Sequence, residues 1–119
     1  MDPIGHGIVI QDHQRSYDDP IYLVAGEFVW ISQQDVWDDQ HVWLWCANED
    51  GKQGWVPEPY ITVSADGSTG LARRVYDAIE LSVFEGESLR LLEEQSGWYW
   101  AENNDGQRGW VPVSHIDRT

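Results

Sequence analysis

The sequence predicts an all-β protein made of two small antiparallel barrels in tandem. The first observation is a repeat: Trp43 and Trp55 recur as Trp98 and Trp110 at a constant shift of 55 residues. The second is that no segment keeps apolar residues at helical intervals. Short runs rich in Val, Ile, Trp and Tyr lie instead between clusters of Gly, Asp and Asn, which is typical of short strands joined by turns.

The repeat sets the predicted domain boundaries. We assign residues 1–62 to the first domain and residues 71–119 to the second, with the small, polar stretch 63–70 as the linker. Domains of this size bury little surface, so their cores are thin. Eight tryptophans offset this in part, because each aromatic side chain can bury about 150–250 Å².

Hairpin turns punctuate both copies. Asp50-Gly51 and Asp105-Gly106 are hairpin signals, because glycine readily adopts the positive φ of a tight turn. Each is followed by Gly-Trp-Val-Pro, in which the proline ends the strand since it has no N–H to donate.

Strand alternation predicts which residues of the preceding strand face the core. Period two places Leu44 and Cys46 on one face and the tryptophans of the same segment on the other. Because the second copy has the small residue Ala101 at the position of Cys46, we expect a tight core site and a buried structural thiol there. For Phe28 and Trp30, the pattern predicts only that one of the two strand faces is core.

The charge balance excludes some partners. Twenty-one acidic and seven basic residues give a net charge of −14, which disfavours binding to nucleic acid or to anionic membranes and favours solubility. The first residues lack the basic and apolar regions of a secretion signal, and no apolar run approaches the ~18 residues of a membrane span. We therefore expect a cytoplasmic protein.

Nothing in the sequence indicates catalysis, a cofactor or a metal. A single cysteine excludes an internal disulfide, and the histidines at 6, 13, 41 and 115 share no metal-ligand spacing. No nucleophile recurs beside a base in both copies. We predict a protein that is not an enzyme.

Four motifs in order resemble the Src-homology-3 (SH3) family, and small bacterial tandem SH3 proteins in particular. In the first copy, residues 9–13 stand at A-L-Y-D-Y and residues 20–27 at (D/E)-L-S-F-x-x-G-(D/E). Trp43 stands at the first tryptophan of the W-W pair, and residues 54–61 stand at G-(Y/L/W)-(I/F/V)-P-S-N-Y-V. The second copy repeats the series, with Tyr76 aligned to Gln11 at a shift of 65. The shift falls to 60 between Gly26 and Gly86 and to 55 from Trp43 onward. The second copy is therefore five residues shorter in each of two loops, which the resemblance identifies as the RT loop and the n-Src loop.

The resemblance implies a groove for proline-rich peptides in the polyproline II conformation. Its aromatic ridges are expected to be exposed, and its loop acids select a basic ligand residue. In the first domain these positions are Trp43, Pro57, Tyr60, Asp18, Asp19, Asp38, Asp39, Gln11 and His13. Trp37, in a polar loop beside three aspartates, is a further contact candidate outside the family's usual set. In the second domain, which we expect to bind more weakly, they are Tyr76, Trp98, Pro112 and His115.

The leading functional hypothesis is an adaptor that binds an extended basic or proline-containing segment of another protein. Gln11 and His13 replace tyrosines of the family motif, which leaves the ordinary PxxP ligand open. Two alternatives remain: an acidic decoy that occupies the nucleic-acid-binding site of another protein, and a module that binds cell-wall peptides.

Overall fold

The structure, a computed structural model, describes residues 3–119, which form strands, turns and two single-turn 3-10 helices. The strands are β1 (Gly5–Val9), β2 (Tyr22–Leu23), β3 (Phe28–Trp37), β4 (His41–Ala47), β5 (Gln53–Pro57), β6 (Ile61–Val63), β7 (Thr69–Ala72), β8 (Tyr76–Asp77), β9 (Ser88–Gln95), β10 (Trp98–Glu102), β11 (Arg108–Pro112) and β12 (Ile116–Arg118). The 3-10 helices span Glu58–Tyr60 and Val113–His115. Every pairing between these strands is antiparallel, which confirms the predicted all-β class.

The strands form two compact units that do not follow the order of the sequence copies. The central unit is continuous, Asp19–Ala78, whereas the split unit combines residues 3–18 with Ile79–Thr119. Strand β1 of the first copy thus lies in the split unit with β9–β12 of the second copy. Strand β7 of the second copy lies in the central unit with β2–β6 of the first copy. The predicted domains 1–62 and 71–119, with a linker at 63–70, differ from these units, and the predicted start at residue 1 lies outside the described residues.

The central unit has a five-stranded sheet in the order β5-β4-β3-β7-β6 and a short pair, β2-β8. The split unit has a five-stranded sheet in the order β11-β10-β9-β1-β12. Counterpart strands therefore occupy the same positions in the two sheets. Each unit also has its own buried residues: those of the central unit include Leu23, Val29, Leu44 and Val56, and those of the split unit include Val9, Leu89, Leu91 and Val111.

The predicted linker explains the exchange of first strands. Ser64 and Thr69 close a tight turn, in which the Ser64 N–H donates to the Thr69 carbonyl at 2.9 Å and Gly67 has a φ of +77°. A turn this short returns the chain antiparallel beside the strand it has just left. It therefore pairs β6 with β7 in one sheet, so the first strand of the second copy completes the central unit. In the split unit the counterparts of β6 and β7 are β12 and β1, which are not joined by a turn.

Strand registers also correct the alignment of the copies. Strand β1 pairs with β12 as β7 pairs with β6. The two registers coincide when each residue of β1 is matched to the residue of β7 that is 63 positions later. The bridge of His13 to the segment before β9 matches the pairing of Tyr76 with β2. His13 is therefore the counterpart of Tyr76. The predicted alignment of Tyr76 with Gln11 is wrong, because the RT-loop difference between the copies is three residues and not five.

The predicted core face of β4 is confirmed. Leu44 and Cys46 are buried, as are Tyr99 and Ala101 at the counterpart positions of β10. Burial raises the pKa of the Cys46 thiol to about 12, so it remains protonated near neutral pH. This residue is a core side chain of the central unit.

Candidate functional site

The predicted binding residues are divided between the two units. The central unit contains Trp43, Pro57, Tyr60, Trp37, Asp19, Asp38, Asp39 and Tyr76, the last of which the sequence had placed in the second domain. The split unit contains Gln11, His13, Asp18, Trp98, Pro112 and His115. Gln11, His13 and Asp18 therefore do not belong to the unit of Trp43, because the first strand and the residues after it are exchanged.

The tryptophans of the central unit lie on one another. Trp43 pairs in register with Pro57, and the Trp37 indole stacks on it with ring centroids 4.5 Å apart and planes at 30°. Trp37 also meets Trp55 edge to face at 5.7 Å. Only 4% of Trp43 is exposed, so the expectation of an exposed ring at this position is wrong. Trp37, which the sequence suggested as a ligand contact, covers a second tryptophan instead.

Tyr60 and Tyr76 are the other aromatic residues of the central unit's predicted groove. Their rings meet at 5.3 Å and 71°, and both residues are buried. The Tyr76 hydroxyl donates to the Trp55 carbonyl at 2.8 Å, and the Arg74 guanidinium lies 4.6 Å from the centre of the Tyr60 ring. These rings stabilise the unit and offer little surface to a ligand.

The predicted acids of the central unit are exposed. Asp38 and Asp39 form the turn between β3 and β4 and both have positive φ, 56° and 59°, which Asp tolerates better than most residues. Asp19 forms an ion pair with Lys52 at 2.8 Å, and this hydrogen bond raises the pKa of the Lys52 ammonium. Exposed pairs of this kind contribute little to stability.

Three rings meet in the split unit. His13 contacts Trp98 edge to face at 5.6 Å and His115 at 5.5 Å, with interplanar angles of 77° and 87°. Trp98 pairs in register with Pro112, and all four residues are half-buried. Perpendicular rings with a proline beside them make a ridged surface that remains partly open to solvent. We call these four residues, together with Glu80, the split-unit groove.

Glu80 is a residue that sequence reasoning missed. One of its carboxylate oxygens lies 2.8 Å from His13 Nε2 and accepts a hydrogen bond from the Ser16 hydroxyl at 3.3 Å. The side chain keeps 16% exposure, against 14% for His13. The sequence signal was weak, because Glu80 is one acid among many and lies 67 residues from His13. The exchange of first strands brings the two together.

Loop length explains why Trp98 is half-buried whereas its counterpart Trp43 is buried. Trp37 ends the ten-residue strand β3, but β9 has eight residues and the loop after it is reduced to Ser96 and Gly97. The five residues that the second copy lacks include the position of Trp37. The shorter hairpin of the split unit therefore has no counterpart of the ring that covers Trp43.

Two further predicted residues of the split unit lie within a few positions of His13 along the chain. Gln11 is exposed, and the Asp18 side chain is 95% exposed, with a 3.5 Å ion pair to Arg15. This pair is weak because water screens it, so the Asp18 carboxylate remains accessible to a cation of a ligand.

Within residues 3–119, no group of three or more His, Cys, Asp or Glu side chains is arranged to hold a metal ion. The same residues include no helix that is long and apolar enough to cross a bilayer.

Two family models match the chain. Residues 6–64 match the variant SH3 domain, and residues 83–116 match the bacterial dipeptidyl-peptidase Sh3 domain. The first match runs through the boundary between the two units at residues 18 and 19, because it follows the sequence copy and not the compact unit.

Among curated proteins, the SH2/SH3 adapter protein dreadlocks of Drosophila melanogaster is 26% identical over 135 aligned residues. The alignment covers 95% of this chain and 23% of that protein, so the chain spans about a quarter of the length of this relative. No solved structure matches the chain significantly.

Proposed function

The chain is an SH3-like domain protein, and from that premise we propose that it is a non-catalytic adaptor that binds an extended segment of another protein. In this proposal each unit is a small SH3-like barrel. The ligand is a proline-containing segment with a Lys or Arg, and it lies in the split-unit groove. The resemblance to an adapter protein supports a role in protein interaction.

One observation supports this groove most strongly: Trp98 is half-buried whereas Trp43 retains only 4% exposure. Ligand prolines need accessible aromatic faces, and a polyproline II segment arrives already ordered, so that little entropy is lost on binding. In the central unit Trp37 occupies the face of Trp43 that a ligand would use. We therefore transfer the predicted site from the first sequence copy to the split unit.

Two acidic groups of the split unit would select the basic residue of the ligand. Asp18 is almost fully exposed, and Glu80 lies at the edge of the His13 ring. Exposed carboxylates attract cations over a Debye length of about 8–10 Å at moderate salt. We expect binding to weaken as ionic strength rises, mainly through a slower association rate.

The test is a calorimetric titration of the full chain with a synthetic peptide that carries two proline dipeptides and a flanking arginine. Trp98→Ala should weaken binding at least tenfold while the chain stays folded. Trp45→Ala is the matched control, because Trp45 is also half-buried but lies in the central unit. Unchanged affinity of the Trp98→Ala variant would contradict the proposal.

The same titration separates the adaptor from an acidic decoy. A decoy would tolerate Trp98→Ala and lose affinity for a basic protein in proportion to the number of surface acids neutralised, wherever they lie. An adaptor should respond to Asp18→Asn more than to Asp105→Asn, an exposed acid in the β10–β11 turn.

A further inference from the structure

The outer face of the central sheet carries an aromatic cluster that its core does not use. Phe28 and Trp30 lie on one side of β3, their ring centroids 5.0 Å apart at 89°, while Val29 between them is fully buried. Leu71 pairs in register with Phe28 across β3 and β7. Trp30 is 50% exposed and Leu71 49% exposed. We call Phe28, Trp30 and Leu71 the outer apolar face.

The split unit shows that this fold does not require an apolar face here. The strand registers place Ser88 at the position of Phe28 and Arg90 at that of Trp30. Arg90 forms an ion pair with Glu102, which also accepts a 2.7 Å hydrogen bond from Arg108 Nε. The split unit thus forms the same strand order with Ser88 and Arg90 where the central unit has two aromatic rings, and only Ile8, at the position of Leu71, is apolar there. An exposed apolar cluster that the fold does not need is a mark of an interaction surface.

Acidic residues border the outer apolar face. Glu27, Glu49 and Asp50 line a shallow depression together with Phe28 and Val24. On the other side, Trp30 pairs with Thr69, which follows the β6–β7 turn that contains Asp66.

Hydrogen bonds fix the charge of one of these acids, and nearby bases oppose part of the rest. Hydrogen bonds from the Ser68 backbone and from the Ser68 and Ser64 hydroxyls hold the pKa of Asp66 at about 2, so it stays ionised at neutral pH. Two bases lie near these acids: the exposed Arg73 follows β7 just beyond Leu71, and Lys52, which pairs with Asp19, also interacts with the charge of Asp50. The border as a whole is anionic.

We propose that the outer apolar face is a second protein-binding site, which takes a segment with an apolar side chain flanked by Lys or Arg. The apolar side chain would lie against Phe28 and Leu71. A cation would lie over the Trp30 indole, where the ring quadrupole attracts it, with Glu49 and Asp50 nearby. A second copy of this chain fits less well, because each copy carries a net charge of −14 and a two-fold contact would place like acids together.

The probe is a synthetic peptide of alternating leucine and arginine without proline, titrated into the isotope-labelled full chain. We expect the indole N–H signal of Trp30 to shift in a saturable way. A matched peptide with glutamate in place of arginine should give no shift.

Trp30→Arg, which installs the residue found at the counterpart position, should weaken binding at least tenfold without unfolding a half-exposed site. Phe84→Ser is the matched control, since Phe84 is 65% exposed but lies in the split unit. Trp98→Ala should leave this binding unchanged, so failure here is distinguishable from failure of the split-unit groove.

Three results would overturn the proposal: equal binding of the acidic peptide, no saturable shift of the Trp30 signal, or undiminished affinity of the Trp30→Arg variant. A Trp30 signal that moves with protein concentration in the absence of peptide would also overturn it, because the face would then join two copies of the chain.

Discussion

The central unit and the split unit arrange counterpart strands in the same order, yet they differ in which tryptophan positions are buried and which are exposed. In the central unit Trp43 lies against Trp37 and is buried, whereas Trp98 of the split unit is half-buried among histidines. On the outer side the roles are reversed, since Trp30 is exposed where the split unit has the Arg90 ion pair. A small all-β unit can therefore keep its core and change its surfaces through loop length and a few outward positions.

The largest difference between the units should appear on truncating the counterpart tryptophans. Trp43→Ala removes a buried ring and should lower the free energy of unfolding by about 3–5 kcal/mol. Trp98→Ala, at a half-buried position, should cost about 1–2 kcal/mol. Urea denaturation followed by circular dichroism measures both. Equal losses would show that the two rings are packed alike.

The division of the chain can be tested with two fragments. A fragment of residues 19–78 contains all strands of the central unit, whereas residues 1–62 lack β7 and Tyr76. Only the counterpart strand β1 could take the place of β7 in the 1–62 fragment, and His13 would then stand where the central unit buries the Tyr76 ring. Replacing a buried ring in this way costs about 2–3 kcal/mol, which corresponds to roughly 10–20 °C in a domain of this length. We expect the 1–62 fragment to melt lower than the 19–78 fragment by at least this amount. A higher melting temperature for 1–62 would contradict the exchange of first strands.

Counterpart glycines sharpen the comparison further. A Cβ at Gly109 would lie 2.6 Å from the Leu81 backbone nitrogen, whereas at Gly54 the nearest atom is a side-chain methyl of Ile21 at 2.9 Å. Backbone yields less readily than a side chain, so Gly109→Ala should cost about 2–3 kcal/mol and Gly54→Ala about 1 kcal/mol. Hydrogen exchange would show which unit loosens in each variant.

A smaller effect is expected for the hydroxyl of Tyr76. Tyr76→Phe leaves the Trp55 carbonyl without this donor and should destabilise the central unit by about 1–2 kcal/mol. Tyr22→Phe, at a tyrosine that is 47% exposed, serves as the control and should change little. Thermal melts of both variants provide the comparison, and equal shifts would argue against a structural role for the Tyr76 hydroxyl.

The smallest effect concerns the turn that joins β6 and β7. The pKa of Asp66 is lowered from 3.8 to about 2 by hydrogen bonds to the carboxylate, so its contribution to stability is complete above about pH 4. It is lost as the pH falls from about 4 through 2. The stability difference between the wild type and Asp66→Asn should therefore be constant near neutral pH and vanish towards pH 2. Ser68→Ala, which removes one donor, should reduce that difference.

Several features of the fold were predictable from local chemistry. The Asp-Gly turns form as expected, with φ of +83° at Gly51 and +82° at Gly106. Period two identified Leu44 and Cys46 as core residues, because a strand alternates its faces whatever lies around it. The motif order indicated the family, which the two family matches confirm.

The candidate site was predictable only in part. Trp98, His13, His115 and Pro112 were named from the sequence, but His13 was assigned to the wrong unit. The cover that Trp37 gives to Trp43 depends on how the β3–β4 hairpin bends, which no residue type reports. Glu80 entered the site through a contact that spans 67 residues.

Sequence alone thus specified two copies of a small β unit, their turns and the residues that alternate into each core, because these depend on interactions between near neighbours. It did not specify which copy supplies the first strand of each unit, since β1 and β7 are counterparts that pair with counterpart strands in the same register. The short β6–β7 turn settles that choice. Three-dimensional packing then settles which tryptophan stays open to a ligand, because exposure depends on what the surrounding loops are long enough to cover.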